Sequence, residues 1–258
     1  MTRISETFRR LLKKGCKAFI PYVMAGDPSL DKTVEMVRIL EECGADVVEL
    51  GVPFSDPLAD GPTIQRASER ALRNGVTLRK VVSLVRDLRQ STQIPIVLMT
   101  YFNPVFKYGI EDFIGNARVA GVDGVIIPDL PPEEAEDFIK LSKKASLDTI
   151  FLLAPTSTEE RIRKVIKASS GFIYYVSMTG ITGANLLLDG SMETLIPSIR
   201  KFTDKPIAVG FGVSTPDEAY AVSRLADGVI IGSAIVKRLH EAPDELKDYL
   251  AGIKEAIK

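Results

Sequence analysis

The sequence has a single histidine, His240, and two cysteines, Cys16 and Cys43, in 258 residues. The cysteines do not form a Cys-x-x-Cys pair, so the usual zinc ligand sets cannot be assembled. A Ser-His-Asp or Cys-His nucleophile would have to use His240, which lies in a charged helical pattern, Val236 to Glu241, that reads as solvated. Acid–base chemistry therefore falls to carboxylates or tyrosines. Excess charge is lacking as well. With 33 basic against 34 acidic residues the net charge is −1, which leaves no electrostatic footprint for nucleic acid or a membrane surface and points to small molecules or another protein as partners. No apolar run approaches membrane-spanning length, and the opening segment Thr2 to Lys14 is amphipathic and charged, without the apolar core of a signal peptide. A cytoplasmic location is the expectation.

What is present centres on Asp46-Val-Val-Glu-Leu-Gly-Val-Pro-Phe-Ser-Asp-Pro-Leu-Ala-Asp-Gly-Pro62. Its first five residues read as a buried strand carrying Glu49 near its carboxyl end. Burial among Val47, Val48 and Leu50 disfavours the charged carboxylate and pushes it toward a range where it can both give and take a proton near neutrality. The following loop adds Asp56 and Asp60 between prolines and glycines. One apolar-walled acid with one loop acid is a plausible acid/base pair, against the plainer reading of a salt bridge and a solvated turn.

Along the chain, short apolar runs near residues 20, 48, 97, 126, 151, 174, 208 and 230 alternate with helical patterns, without a long linker or low-complexity segment. Eight strands, each followed by helix, predict an α/β fold: a (βα)8 TIM barrel with an extra N-terminal helix and additional short helices, one domain over residues 1–258. A strand is expected at 149–153, a loop at 101–104 and a helix from Pro132 to Lys144. An internal echo supports the barrel. Asp123-Gly-Val-Ile-Ile127 recurs as Asp227-Gly-Val-Ile-Ile231, and Ile94-Pro-Ile-Val97 is echoed by Lys205-Pro-Ile-Ala-Val209, pairing the fourth strand with the eighth and the third with the seventh.

Chemistry in such a barrel sits in the loops after the strands, with phosphate often bound after strands seven and eight. Gly210-Phe-Gly-Val-Ser-Thr215 and Gly232-Ser-Ala-Ile-Val236 occupy those places, and Thr179-Gly-Ile-Thr-Gly183 follows strand six. Glycines let backbone N–H groups close on an anion, so three such clusters favour a phosphorylated substrate. The segment from Ser177 to Gly190, with Leu186-Leu-Leu188 between glycines, suits a hinged lid.

Glu49 to Pro62, Ser177 to Gly183, Gly210 to Ser214 and Gly232 to Lys237 together resemble the tryptophan synthase alpha subunit, over nearly the whole chain. The resemblance implies retro-aldol cleavage of indole-3-glycerol phosphate to indole and glyceraldehyde 3-phosphate. By it, Glu49 is the proton-transfer acid/base and Asp60 the carboxylate facing the indole nitrogen. Tyr174 falls at the active-site tyrosine, and Thr182 at the lid threonine that meets Asp60. Gly183, Phe211, Gly212, Gly232 and Ser233 fall in the substrate and phosphate loops. Tyr22 stands where phenylalanine is frequent. The resemblance also implies a pyridoxal-phosphate-dependent beta subunit as partner in an alpha-beta-beta-alpha assembly, with no cofactor in this subunit, and the loop carrying Pro53, Asp56 and Pro57 as the contact. Three other readings compete. A Schiff-base aldolase needs a lysine inside a strand, and none of the eight has one. A sugar-phosphate isomerase remains compatible with fold and phosphate loops. An idle phosphometabolite-binding module would not need both Glu49 and Asp60.

Overall fold

The computed structural model describes residues 1–176, 190–210 and 212–258. Among them are nine parallel strands: β1 (Ala18–Met24), β2 (Val48–Gly51), β3 (Ile96–Met99), β4 (Gly124–Ile126), β5 (Asp148–Ile150), β6 (Leu152–Leu153), β7 (Ile173–Val176), β8 (Ile207–Gly210) and β9 (Gly228–Ile231). They hydrogen-bond in the order β5-β4-β3-β2-β1-β9-β8-β7-β6. The two ends of that order are halves of one run, parted only by Phe151, whose carbonyl accepts the Tyr174 N–H at 3.2 Å. The ring therefore closes as the expected barrel. The strand expected whole at 149–153 is split, its first half pairing with β4 and its second with β7.

Strands covered on both faces must be apolar throughout, and Ile96-Val-Leu-Met99 and Gly228-Val-Ile-Ile231 are buried at every position. The outer ring comprises α2 (Leu30–Glu42), α3 (Pro62–Arg73), α4 (Leu78–Leu88), α5 (Phe102–Tyr108), α6 (Ile110–Ala120), α7 (Glu136–Lys144), α8 (Glu159–Ala168), α9 (Ser191–Arg200), α10 (Pro216–Ser223), α11 (Ser233–Glu241) and α12 (Leu246–Ala256). Two boundaries differ from expectation. The loop expected at 101–104 is mostly helix α5, because Pro104 falls in its first turn, where a missing N–H costs nothing. Helix α7 begins at Glu136, after a turn, rather than at Pro132.

The extra N-terminal helix, α1 (Arg3–Lys14), is capped by the Thr2 hydroxyl accepting from Ser5 N–H and stopped by Gly15 in the left-handed region. Its apolar face closes the N-terminal mouth of the barrel, with Phe8 5.6 Å from Phe172 ring to ring. At that mouth three aspartates each accept the N–H of a neighbouring strand: Asp46 from Phe19, Asp123 from Ile96 and Asp227 from Ile207, at 3.0, 2.9 and 2.8 Å.

Candidate active site

In the parallel register Tyr22 of β1 stands beside Glu49 of β2, and Glu49 beside Val97 of β3, so these side chains share one level of the barrel. Glu49 is 1% exposed, and its Oε2 has no hydrogen-bond partner among the described residues. Burial, reinforced by the nearby negative charge of Asp60, pushes its pKa up to about 8. A buried carboxyl left unsatisfied costs on the order of 1–3 kcal/mol, and such a group calls for a functional explanation.

Asp60 reaches the same pocket from the loop after β2. Burial raises its pKa to about 6, opposed by a hydrogen bond from Tyr101. Tyr101, immediately after β3, is the site residue that sequence reasoning missed. Its hydroxyl accepts the Ala59 N–H at 3.0 Å and donates to the Asp60 carboxylate, and its ring stacks on Phe54 with centroids 5.1 Å apart. Its position just past a barrel strand was the available signal. Ser68 of α3 completes the latch by bonding both the N–H and the carbonyl of Phe54, at 2.9 and 3.0 Å.

Tyr22 and Tyr174 lie close to both carboxyls. Both are buried and both hydroxyls have pKa values well above the ordinary, chiefly from burial and then from the Glu49 and Asp60 charges. Each ring leans across a glycine two residues further along the neighbouring strand. A Cβ at Gly51 would lie 2.0 Å from the Tyr22 hydroxyl oxygen, and one at Gly210 would lie 2.4 Å from that of Tyr174.

The glycine loops adjoin these tyrosines. Gly232 caps α11 at its N-terminus and faces Tyr22, with Ser233 as the first helical residue and exposed. The first N–H groups of a helix have no acceptor within it, so they and the helix dipole suit an anion. Gly212 adopts φ +82° between β8 and α10, a conformation that side chains rarely tolerate. The loop behind it is locked by Glu218, whose Oε2 accepts from Ser214 N–H, Ser214 hydroxyl and Thr215 N–H at 2.7, 2.9 and 3.1 Å, and by Tyr249 of α12, which donates to Ser214 O at 3.1 Å. Thr215 and Glu218 also form a capping box at the start of α10.

The structure thus brings together Glu49, Asp60, Tyr22 and Tyr174, with Gly232 alongside. Thr182, Gly183 and Phe211, with the expected lid, lie outside the described residues. In the loop after β2, Pro53 is buried at the root, Asp56 is exposed and Pro57 partly so, while Leu58 is 94% exposed. His240 is not free on its helix. Its Nε2 lies 2.9 Å from Asp27 Oδ2 and 2.9 Å from an Arg70 nitrogen.

A family model described as tryptophan synthase alpha chain matches residues 8–258. The tryptophan synthase alpha chain of Geotalea uraniireducens is 52% identical over 259 residues, covering 100% of this chain and 97% of that one. The alpha chain of Geobacter sulfurreducens is 50% identical over 262 residues, with 100% and 99% covered. Among solved structures, tryptophan synthase of Mycobacterium tuberculosis superposes with a TM-score of 0.93 at 38% identity over 99% of this chain and 98% of that one. The alpha subunit of Legionella pneumophila gives 0.90 at 38%, with 100% and 98% covered. A glutamate and an aspartate in one buried pocket, a glycine-capped helix beside them and full-length matches on both sequence and fold lead to one conclusion: this chain belongs to the tryptophan synthase alpha chain family, lyases that cleave indole-3-glycerol phosphate in tryptophan biosynthesis.

Proposed function

We propose that the whole chain, residues 1–258, is one barrel domain in which Glu49 and Asp60 carry the retro-aldol cleavage of indole-3-glycerol phosphate. The carrying observation is the buried Glu49 carboxyl, whose Oε2 has no hydrogen-bond partner among the described residues and whose pKa is about 8, near a second carboxyl at about 6. Near neutrality the first is mostly protonated and the second mostly ionised, which divides the labour between them. Glu49 gives its proton to the indole ring carbon that bears the side chain. Asp60, held by Tyr101, stabilises the positive charge that develops on the ring nitrogen. The Glu49 carboxylate then takes the proton of the side-chain hydroxyl as the carbon–carbon bond breaks, which yields the aldehyde product and returns Glu49 to its acid form. Tyr22 and Tyr174 wall the indole. Gly212, Gly232 and Ser233 receive the phosphate, and the family resemblance adds Thr182, Gly183 and Phe211 as substrate-binding residues.

Glu49→Gln tests the assignment. The amide keeps the shape without transferring protons, so turnover should fall by at least the ~10²- to 10⁴-fold typical of a lost general acid/base, with substrate binding retained. Activity within threefold of wild type would sink the reading.

The protein works in the cytoplasm as one half of a complex, and the family name implies a beta subunit as its counterpart. The finer reading is an alpha-beta-beta-alpha tetramer in which pyridoxal phosphate belongs to the beta subunit and this chain has no cofactor of its own. The loop from Pro53 to Asp60 supports it: Pro53 anchors the root, while Asp56, Pro57 and the 94% exposed Leu58 face outward next to a catalytic carboxylate. Docking there encloses the exit of a small apolar product and fixes Asp60. Titrating a beta subunit at fixed substrate should give a saturable rise in cleavage that Asp56→Ala and Pro57→Ala weaken. No rise, or the same rise in the variants, would exclude coupling through this loop.

A further inference from the structure

Behind the pocket lies a polar cluster that the reaction as derived does not use. Asp27, in the turn after β1, has a side chain only 3% exposed and holds Arg70 of α3 through both oxygens, at 2.8 and 2.8 Å. The chain's one histidine completes it, His240 Nε2 lying 2.9 Å from Asp27 Oδ2. Asn74, at the end of α3, donates to the carbonyls of Gly26 and Pro28 at 3.3 and 2.6 Å, and Gly26 N–H is held by Thr33 at 2.9 Å. The turn is itself crowded, since a Cβ at Gly26 would meet Val76 at 2.3 Å.

The cluster joins the far ends of two helices whose near ends bear the site. Helix α3 begins at Pro62, two residues after Asp60, and Arg70 lies more than two turns along it. Helix α11 begins at Ser233, on the phosphate side, and His240 is the eighth of its nine residues. Helices are stiff over such lengths, so fastening both far ends to one buried carboxylate sets the phosphate loop and the Asp60 loop relative to each other. A misplacement of about 1 Å can cost 10²-fold in rate.

We propose that Asp27, Arg70 and His240 are positioning residues that couple an anion at the start of α11 to the placement of Asp60, so that phosphate binding assembles the acid–base end of the site. This rests on the functional reading above. Such coupling is visible when the substrate is divided. Wild-type protein should cleave indole-3-glycerol, the substrate without its phosphate, slowly, and saturating inorganic phosphite should accelerate it at least about tenfold. Asp27→Asn and His240→Leu should lose at least about fivefold of that acceleration while slow cleavage without phosphite persists, and His240→Gln, whose amide can still donate to Asp27, should retain it. A merely structural role would lower both rates in parallel. Absence of acceleration in wild type, or equal acceleration in all the variants, would overturn the proposal. Loss of whole-substrate cleavage in Glu49→Gln reports on the acid–base reading separately, so failure of one is distinguishable from failure of the other.

Discussion

Burial displaces the pKa values of both Glu49 and Asp60 upward, but by different amounts, because the Asp60 charge adds to the burial of Glu49 while a hydrogen bond from Tyr101 offsets that of Asp60. The displacement sets one pH dependence for activity and another for stability. The proposed mechanism needs Asp60 ionised and Glu49 protonated, so kcat/KM should rise through about pH 6, fall through about pH 8 and peak between. For folding, Glu49 binds its proton more tightly in the native state than in the unfolded chain. Its contribution is fully present below its ordinary value of 4.5 and is lost as pH rises through about 8. A shift of that size amounts to a few kcal/mol, to order of magnitude. Thermal melts from pH 6 to 9 should show the wild type losing stability faster than Glu49→Gln, and parallel curves would contradict it. Glu49 was legible as a buried acid because a charged residue interrupts a strand of Val and Leu. Tyr101 was not, since its position just past a barrel strand places it near the site without marking it as a tyrosine that holds another residue's carboxylate.

At the scale of elements, the alternation of strand and helix was readable because parallel strands covered on both faces must be apolar and helices must not be. What escaped was set by contacts distant in sequence. The break at Phe151 reflects pairing with β4 on one side and β7 on the other, and no local pattern encodes two partners. The loop expected at 101–104 is mostly helix α5, whose Pro104 is compatible with a first helical turn. Gly51 ends β2, and Gly210 reads in the sequence as the start of a phosphate loop. Both also leave space for the Tyr22 and Tyr174 rings, so any side chain there would displace a ring.

The whole molecule carries the repeat seen in its sequence down to single bonds. Arg89 ends α4, donates to Ile94 O at 2.7 Å and pairs with Asp123, while Arg200 ends α9, donates to Lys205 O at 2.9 Å and pairs with Asp227. Both aspartates in turn accept the first N–H of the strand before them, Ile96 and Ile207. Each half of the barrel thus has its own staple, spanning 34 residues in one half and 27 in the other. Asp46 also bonds a neighbouring strand, but its lysine partner is Lys254, 208 residues away at 2.6 Å. Loop closure makes distant contacts slower to form than near ones. The staples can therefore assemble within each half before the ends of the chain meet, and the Lys254 bond can form only afterwards. In refolding experiments Asp123→Asn should slow folding, whereas Lys254→Met should mainly speed unfolding, and the opposite pattern would mean that the ring is joined at its termini before its halves are built.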